Sequence, residues 1–495
     1  MNYFLQTFWC QMNYADSEKI NMTLFQSWFN KIGNINEADL VIFNTCSVRK
    51  KWEDKVFWII NDLRKNSKKT WKKVVIWISG CMVRKTWLNK NLYDFKWDRE
   101  AAKWIELLEN QNSLFNSDDK IFWRTDKIDF VFRIEEIGYL SKLLSVIFGK
   151  EIWNDEKFNE YLQIKQYQEN KWSANVIIQT WCDNFCTYCI VPHTRWREKS
   201  RDKNQIISEI KEVVANGTKE IFLIWQNVNS YWKDIKTKLW NPEELRWKSD
   251  IITNYELRIS NEKESFKWFK TPFRELLEDV DKIEWLDRIR FTSSNPHDMT
   301  RDILDAHFEL GKTCNYLHFA LQSWDDEVLK NMNRKHSYDD FKLQVKYLRS
   351  LDPLFSISTD IIVWFSGETE DQFQNTIKAF EELEFDFAYI ARYSQRAGTI
   401  AANNLPDNVS SQEKARRWHI LNSMLEVNVK KRWEMMIGRI EPVLISWITK
   451  SGKFFWRTRN FKEVHFPKTE SLNIWDLVQV KIEKMNKWIL EGSLI

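Results

Sequence analysis

At 495 residues, with 43% apolar and 29% charged side chains, the chain is too long for one hydrophobic core and too apolar for disorder, and about three domains are expected. Its 74 basic and 70 acidic residues leave a net charge of only +4, so any affinity for nucleic acid has to come from local clusters and not from the overall balance. No apolar run reaches the roughly 18 residues of a membrane span, and the first residues lack the charged flank and cleavage site of an export signal, so a cytoplasmic protein that does not enter a membrane is expected.

Residues 3–8, 40–43 and 74–78 form three short apolar runs, each leading straight to a cysteine: Cys10, Cys46 and Cys81. The spacings of 36 and 35 residues fit one strand, one helix and a return loop. Asp16 followed by Ile20, Leu24, Phe25 and Phe29 reads as a capped amphipathic helix between the first two strands. Repetition of that unit predicts a parallel α/β sheet over residues 1–118, with the three thiols converging at the carboxyl edge of the strands, where open α/β sheets bind ligands. Residues 119–167 are irregular, charged and aromatic, and read as a connection. A second series of strands at 175–179, 220–224, 288–293, 316–321, 356–363 and 385–393, with helical patterns between them, predicts a full or partial (β/α) barrel over 168–410. The polar stretch 233–270 reads as a surface insertion in it. A long helix near 412–431 then leads to short strands at 442–445, 453–456, 464–466 and 477–482, which predict a small β-barrel over 433–495. The fold class is therefore α/β with an all-β tail.

Tryptophan and glycine usage is inverted, with 28 Trp against 11 Gly. Trp9, Trp181, Trp225, Trp232 and Trp364 each stand at the end of a short apolar or β-branched run, where a turn or a close backbone approach favours glycine and penalises an indole. Taken together, the two residue types come close to the roughly 7% that glycine alone makes up in ordinary chains. The expectation is a gene whose UGA codons mean glycine in the cell and tryptophan in this translation. Trp418, on a predicted helix, is expected to be genuine; an unusually tryptophan-rich protein is the alternative.

Seven cysteines, an odd number without an export signal, argue for metal ligation and against a disulfide framework. Cys182, Cys186 and Cys189 carry the strongest signal, a C-x-x-x-C-x-x-C loop directly after a predicted strand. Three thiolates leave one iron of a four-iron cluster open, as needed when a small molecule must chelate it. A zinc site completed by His193 is the competing reading, although structural zinc prefers four ligands in paired C-x-x-C spacing. Cys10, Cys46 and Cys81 offer a second set of three, against the plainer reading of scattered buried thiols. Cys314 has no partner at ligand spacing and reads as an interior thiol, and His297, His318 and His336 belong to no constellation. Arg195, Arg197, Lys199 and Arg201 follow the cysteine loop and are placed to meet phosphate, or to pair with acidic neighbours. Arg457 and Arg459 lie beside Phe461 in a tail that holds 12 basic and 7 acidic residues over 431–495. Cations for phosphates and an aromatic ring for a base is the usual logic of RNA-binding barrels, with a merely solvated basic surface as the alternative.

The loop around Cys182 resembles the radical S-adenosylmethionine superfamily, whose C-x-x-x-C-x-aromatic-C motif has Tyr188 as its aromatic member here. Within it the chain resembles the methylthiotransferase family over nearly its full length, outside the insertion. The transfer-RNA branch called MiaB is matched at 7–13 (TFWCQMN), 181–201 (WCDNFCTYCIVPHTRWREKSR) and 225–232 (WQNVNSYW), with support from 317–324 (LHFALQSW) and 361–370 (IIVWFSGETE). The departures in these segments are mainly Trp where the family has Gly.

The resemblance implies two 4Fe-4S clusters: one on Cys182, Cys186 and Cys189 that chelates S-adenosylmethionine and cleaves it to a deoxyadenosyl radical, and an auxiliary one on Cys10, Cys46 and Cys81 that serves sulfur insertion. It places Tyr188 and Gln226 at the cofactor and makes the last domain an RNA-binding barrel of the TRAM type. The implied enzyme is a monomeric transferase acting on a transfer-RNA anticodon stem-loop, supplied with electrons by a flavodoxin- or ferredoxin-type donor. It would replace the hydrogen at carbon 2 of N6-(dimethylallyl)adenosine by a methylthio group, a conversion at an unactivated carbon that needs cofactor chemistry. Two alternatives stay open: a sister methylthiotransferase acting on threonylcarbamoyladenosine or a ribosomal-protein aspartate, and a non-catalytic iron-sulfur RNA-binding protein.

Overall fold

The computed structural model describes residues 1–8, 10–47, 50–83, 125, 127–131, 133–148, 161–166, 168, 172–194, 198–231, 270–396, 398–449 and 452–495. The boundary expected at 118 and nearly all of the expected insertion, 233–269, lie outside these residues. No described helix is long and apolar enough to cross a membrane.

Five parallel strands open the chain: β1 (Asn2–Thr7), β2 (Asn30–Lys31), β3 (Leu40–Thr45), β4 (Val75–Gly80) and β5 (Phe130–Val131), in the order β2-β1-β3-β4-β5. β3 and β4 are buried at every position, as parallel strands covered on both faces should be. Helices α1 (Gln11–Gln26) and α2 (Lys50–Thr70) make the crossovers. α1 is capped six residues earlier than expected: its cap is Cys10, whose sulfur accepts the Asn13 N–H at 3.4 Å. Asp16 is instead buried within the helix and accepts the Tyr161 hydroxyl. Capping patterns look for a side-chain oxygen, and a thiol in that place goes unnoticed. β5 falls inside the stretch read as a connection, because two residues of strand are too few to show a period.

The central unit runs from β6 (Ser173–Ile177) through a short antiparallel pair, β7 (Gln179–Thr180) and β8 (Lys199–Ser200), to β9 (Glu220–Ile224) and β10 (Arg288–Phe291). It continues with β11 (Tyr316–His318), β12 (Ser356–Val363) and β13 (Phe387–Arg392). β6, β9 and β10 form one parallel sheet and β11, β12 and β13 another, joined by parallel bridges Ile289–Thr313 and Ser294–Phe319. The result is a six-stranded partial (β/α) barrel with every carboxyl end on one side. The covering helices start where their sequences say: Ser337 with Asp340 and Thr369 with Gln372 form capping boxes for Tyr338–Leu351 and Glu370–Leu383.

The long helix Ser411–Glu434 leads to β14 (Ile440–Leu444), β15 (Trp447–Ile448), β16 (Lys453–Arg457), β17 (Glu463–Pro467), β18 (Leu477–Asn486) and β19 (Ile489–Leu494). They form a curled six-stranded sheet in the order β14-β18-β19-β17-β16-β15, antiparallel except for β17 with β19. This sheet docks on the amino ends of the central strands. Arg288, at the start of β10, donates to Arg457 O and Pro442 O, both at 2.7 Å. Arg290 pairs with Glu220 at 2.7 Å and reaches Thr458 O and Arg459 O. Asp386, just before β13, meets Lys462 at 2.8 Å, Arg349 at 3.3 Å and Arg432 at 3.4 Å. Burial pushes this carboxyl up, and the three cations outweigh it and hold Asp386 down at about 2.

Thirteen described residues other than glycine have positive φ, and six of them are tryptophan: Trp28, Trp71, Trp181, Trp285, Trp364 and Trp475. Of the turn positions singled out in the sequence, Trp181 and Trp364 are therefore left-handed, Trp225 is buried without that conformation, and Trp9 and Trp232 lie outside the described residues.

Candidate iron-sulfur site

Cys46 and Cys81 directly follow β3 and β4, and Cys10 follows β1 at the head of α1, so parallel pairing alone brings the three to one edge of the first sheet. The strand ends are laced together. Asn13 donates to Phe8 O at 2.7 Å and Thr45 O at 3.0 Å, Asn44 donates to Asn13 O at 2.7 Å, and the Cys81 N–H donates to Thr45 O at 2.9 Å. Gly80, at φ 82°, is required here: a Cβ would collide with Thr45 O and Asn44 Oδ1. All seven cysteines are free thiols.

The second triad occupies the loop after β7. Its three cysteine residues are half-buried, and the loop is clamped from several sides. Thr187 donates from its hydroxyl to Asn331 O at 2.8 Å and from its amide to Met332 O at 3.1 Å, while Ala401 N–H donates to Thr187 O at 2.8 Å. Asn333 reaches Asn184 O and Phe185 O, and Arg334 donates to Cys186 Sγ at 3.7 Å. The Tyr188 ring meets the edge of Phe365 at 6.4 Å.

The two edges face each other. Thr292, just past β10, donates to Gln11, the neighbour of Cys10, at 3.3 Å, and Arg396, past β13, pairs with Glu53 of α2 at 3.6 Å. Glu53 also accepts the hydroxyl of Ser47, next to Cys46, at 2.5 Å. The Cys189 thiol is pushed up to about 12 by burial first, then by Cys186, and Cys81 of the other triad adds to the shift. Cys182 and Tyr188 are also pushed up by burial and by Cys186. Crowded buried thiols of this kind become thiolates when a cationic centre joins them, which is the environment an iron cluster supplies. Among the described residues no group of three His, Cys, Asp or Glu side chains is disposed around a single metal ion. A four-iron cluster is held differently, by one thiolate on each of three irons. The side chain of His193, the possible zinc ligand, lies outside the described residues.

Around this edge several polar atoms are buried with no partner: Gln226 Oε1 and Asn227 Oδ1 after β9, Ser294 Oγ after β10 and Arg334 Nε. Buried polar groups are normally satisfied, so open ones converging on a strand edge fit a polar ligand such as S-adenosylmethionine. Gln226, two residues past β9, is one of these open groups.

The arginines expected at RNA are a different matter. Arg195 and Arg197 lie outside the described residues, while Lys199 is exposed. Arg201 is buried, pairs with Glu209 at 2.6 Å and donates to Ile177 O at 2.8 Å. Arg459 donates to Thr313 O at 2.7 Å. Arg457 stacks on Phe461 at 4.0 Å, and Phe461 stacks on Tyr316 at 4.3 Å. Arg201 thus makes the alternative contact, with an acidic neighbour, and Arg457 and Arg459, half-buried beside Phe461, make theirs at the seam between the tail and the central strands. A basic residue beside an aromatic one reads the same in sequence whether its partner is a base or another domain.

Sequence reasoning also passed over His318, which does belong to a constellation. Its Nδ1 lies 2.8 Å from Ser358 Oγ and its Nε2 3.1 Å from Asp360 Oδ2. The register of β11 on β12 pairs His318 with Ser358, and the i, i+2 alternation of Ser358 and Asp360 was the available signal. Cys314 is a buried interior thiol, as expected.

Two family profiles match the chain: the radical SAM superfamily over residues 176–380 and the uncharacterized protein family UPF0004 over residues 2–94. Three curated relatives are each named tRNA-2-methylthio-N(6)-dimethylallyladenosine synthase. The one from Thermoanaerobacter pseudethanolicus is 34% identical over 496 residues, covering 100% of this chain and 92% of its own. Those from Acetivibrio thermocellus and Clostridium novyi are also 34% identical, cover 100% of this chain, and are themselves covered over 91% and 96%. With two thiol triads facing each other, a radical SAM match over the central strands and full-length identity at this level, the chain belongs to the MiaB-type family of radical SAM methylthiotransferases.

Proposed function

We propose that this protein is a radical S-adenosylmethionine transferase that places a methylthio group on carbon 2 of N6-(dimethylallyl)adenosine in transfer RNA, the activity its relatives are named for. The observation that carries the reading is the meeting of two separate thiol triads at one edge, bridged by Thr292 with Gln11 and Arg396 with Glu53. Bound there, two 4Fe-4S clusters and S-adenosylmethionine supply a carbon-centred radical and a sulfur donor, chemistry that no side chain offers.

The residues divide the remaining work. Cys182, Cys186 and Cys189 hold the cluster that chelates the cofactor, and Cys10, Cys46 and Cys81 hold the auxiliary one. Gln226 and Tyr188 receive polar and aromatic parts of the cofactor. The clamps on Thr187 and the docking of the first sheet keep bulk water from the reacting atoms. His318 with Asp360, whose side chain is 39% exposed, offers a polar pair to a base entering the barrel. Arg195, Arg197 and Lys199 meet the phosphates of the anticodon stem-loop. The protein works as a cytoplasmic monomer with a small reduced flavodoxin- or ferredoxin-type donor.

The test is to reconstitute the protein with iron and sulfide and incubate it with S-adenosylmethionine, a reductant and transfer RNA bearing dimethylallyladenosine. Nucleoside mass spectrometry should find the 2-methylthio derivative together with 5′-deoxyadenosine. Methylthiolation only of threonylcarbamoyladenosine or of a ribosomal protein would transfer the assignment to a sister enzyme. A cluster-bearing protein that forms no 5′-deoxyadenosine would leave an RNA-binding protein.

A further inference from the structure

We propose that Arg334 is a positioning residue for the cluster on Cys182, Cys186 and Cys189, donating to the Cys186 sulfur and favouring the reduced cluster. The inference rests on the assignment of a cluster to these three thiols. Arg334 stands where a helix end has been built to aim it. Helix Asp326–Asn331 closes with Asn333 N–H on Lys330 O at 2.9 Å and Arg334 N–H on Leu329 O at 2.8 Å, with Asn333 left-handed at φ 57°. This is the double-bonded helix terminus of a Schellman motif. The same turn holds the cysteine loop through Met332 O and the Asn333 side chain, so the guanidinium and the loop move as one body.

The guanidinium donates to Cys186 Sγ and to Ala320 O, two residues past β11, and its Nε is buried with no partner among the described residues. No carboxylate among the described residues pairs with it. A buried cation without an anionic partner is costly, and the acidic groups within its reach are the Tyr188 hydroxyl and the thiols of Cys186 and Cys182, which become anionic as cluster ligands. Adding an electron to a three-thiolate cluster adds one negative charge to an already anionic group. A fixed cation and a hydrogen bond to one sulfur stabilise that state more than the oxidised one and raise the reduction potential. Arginine suits the task because its planar fork spans a carbonyl and a sulfur at once.

The test isolates the cluster in a variant with Cys10→Ala, Cys46→Ala and Cys81→Ala. Iron, sulfide and electron paramagnetic resonance first establish that one cluster remains; its absence overturns the assignment of these thiols and the proposal with it. In that background, Arg334→Gln should lower the reduced-to-oxidised ratio at a fixed potential roughly tenfold, and Arg334→Lys should restore most of it. A midpoint unchanged in Arg334→Gln overturns the role of Arg334 alone. Pulsed resonance of the reduced cluster with isotope-labelled arginine needs no glutamine variant. A nitrogen coupling that disappears in Arg334→Lys supports the contact, and no coupling in the parent protein overturns it.

A separate observation carries a second inference: we infer that Trp28, Trp71, Trp181, Trp285, Trp364 and Trp475 are glycines in the cellular protein. Trp28 follows the cap of α1 with Trp28 N–H on Phe25 O at 3.1 Å and Phe29 N–H on Leu24 O at 3.0 Å. The same ladder closes helix Lys203–Ala215, where Gly217 N–H meets Val214 O at 2.9 Å and Thr218 N–H meets Val213 O at 3.1 Å. That left-handed position belongs to glycine, and one helix has it while the other has an indole. Trp71, directly after α2, is also left-handed at φ 56° and is 94% exposed, so no packing compensates the backbone. Trp225, Trp324, Trp364 and Trp433 bury indole N–H groups without partners, whereas Trp418 donates its own to Ile390 O at 3.0 Å. Reading UGA as glycine in the cell of origin accounts for both classes. Peptide mass spectrometry of the protein from its native cells, set against the codons, should find glycine at positions 28, 71 and 181 and tryptophan at 418. Tryptophan at the first three overturns the inference.

Discussion

At the amino ends of the central strands Asp386 takes three cations and Glu220 takes Arg290, while at the carboxyl ends Gln226 Oε1, Ser294 Oγ and Arg334 Nε are buried without partners beside three thiols. Both ends are rich in charged and polar groups on the same six strands. At one end the carboxylates close on cations across the seam with the tail, although Arg349 Nε and Thr313 Oγ1 stay unpaired there, and at the other the open guanidinium of Arg334 stands against a cysteine loop. Closed buried pairs assemble a protein, whereas open ones await a ligand. Charge density alone therefore does not mark a site; incomplete pairing beside a thiol triad does.

The largest expected effect tests the open end. Cys186→Ala should reduce 5′-deoxyadenosine and methylthiolated product to background while the thermal midpoint of the protein prepared without iron hardly moves. Loss of stability there would erase the distinction between the two ends. Asp386→Asn should do the reverse, leaving Lys462, Arg349 and Arg432 without their anion and costing about 3–5 kcal/mol in denaturant titrations. Product formed per folded molecule should stay the same.

The closed end also has a pH signature. Asp386 is held at about 2, below its unfolded value of roughly 3.9, by Lys462, Arg432 and Arg349 acting against burial. Its contribution, about 2–3 kcal/mol, is complete above pH about 4 and is lost as pH falls through the folded value. Thermal midpoints from pH 5 downward should show that slope in the parent protein and not in Asp386→Asn; equal slopes would remove Asp386 as its source. The smallest effect sharpens the open end. Gln226→Ala should raise KM for S-adenosylmethionine roughly tenfold, the loss of one buried hydrogen bond, with little change in stability. An unchanged KM would place the cofactor elsewhere.

Much of this was legible in the chain because it is encoded locally. Strand β9 and β12 stand at the residues their apolar runs predict, and the cysteine spacings follow from the length of a strand-helix-return unit. The carboxyl edge that gathers Cys10, Cys46 and Cys81 is a consequence of parallel pairing. Positions that demand a left-handed backbone were also visible, since Trp181 and Trp364 end apolar runs where glycine is wanted.

What lay beyond the sequence were contacts between distant segments. Arg334 is 148 residues from Cys186, and nothing in either neighbourhood announces the other. His318 acquires its partners only through the register of β11 on β12. Arg457 and Arg459 have contacts at the seam that their neighbours in the chain do not announce, because which face of the tail docks on the central strands is settled by packing. Periodicity, capping and loop length act over a few residues and can be read along the chain. The choice among partners for a charged side chain is made by burial and complementarity across the whole fold, and only the tertiary structure decides it.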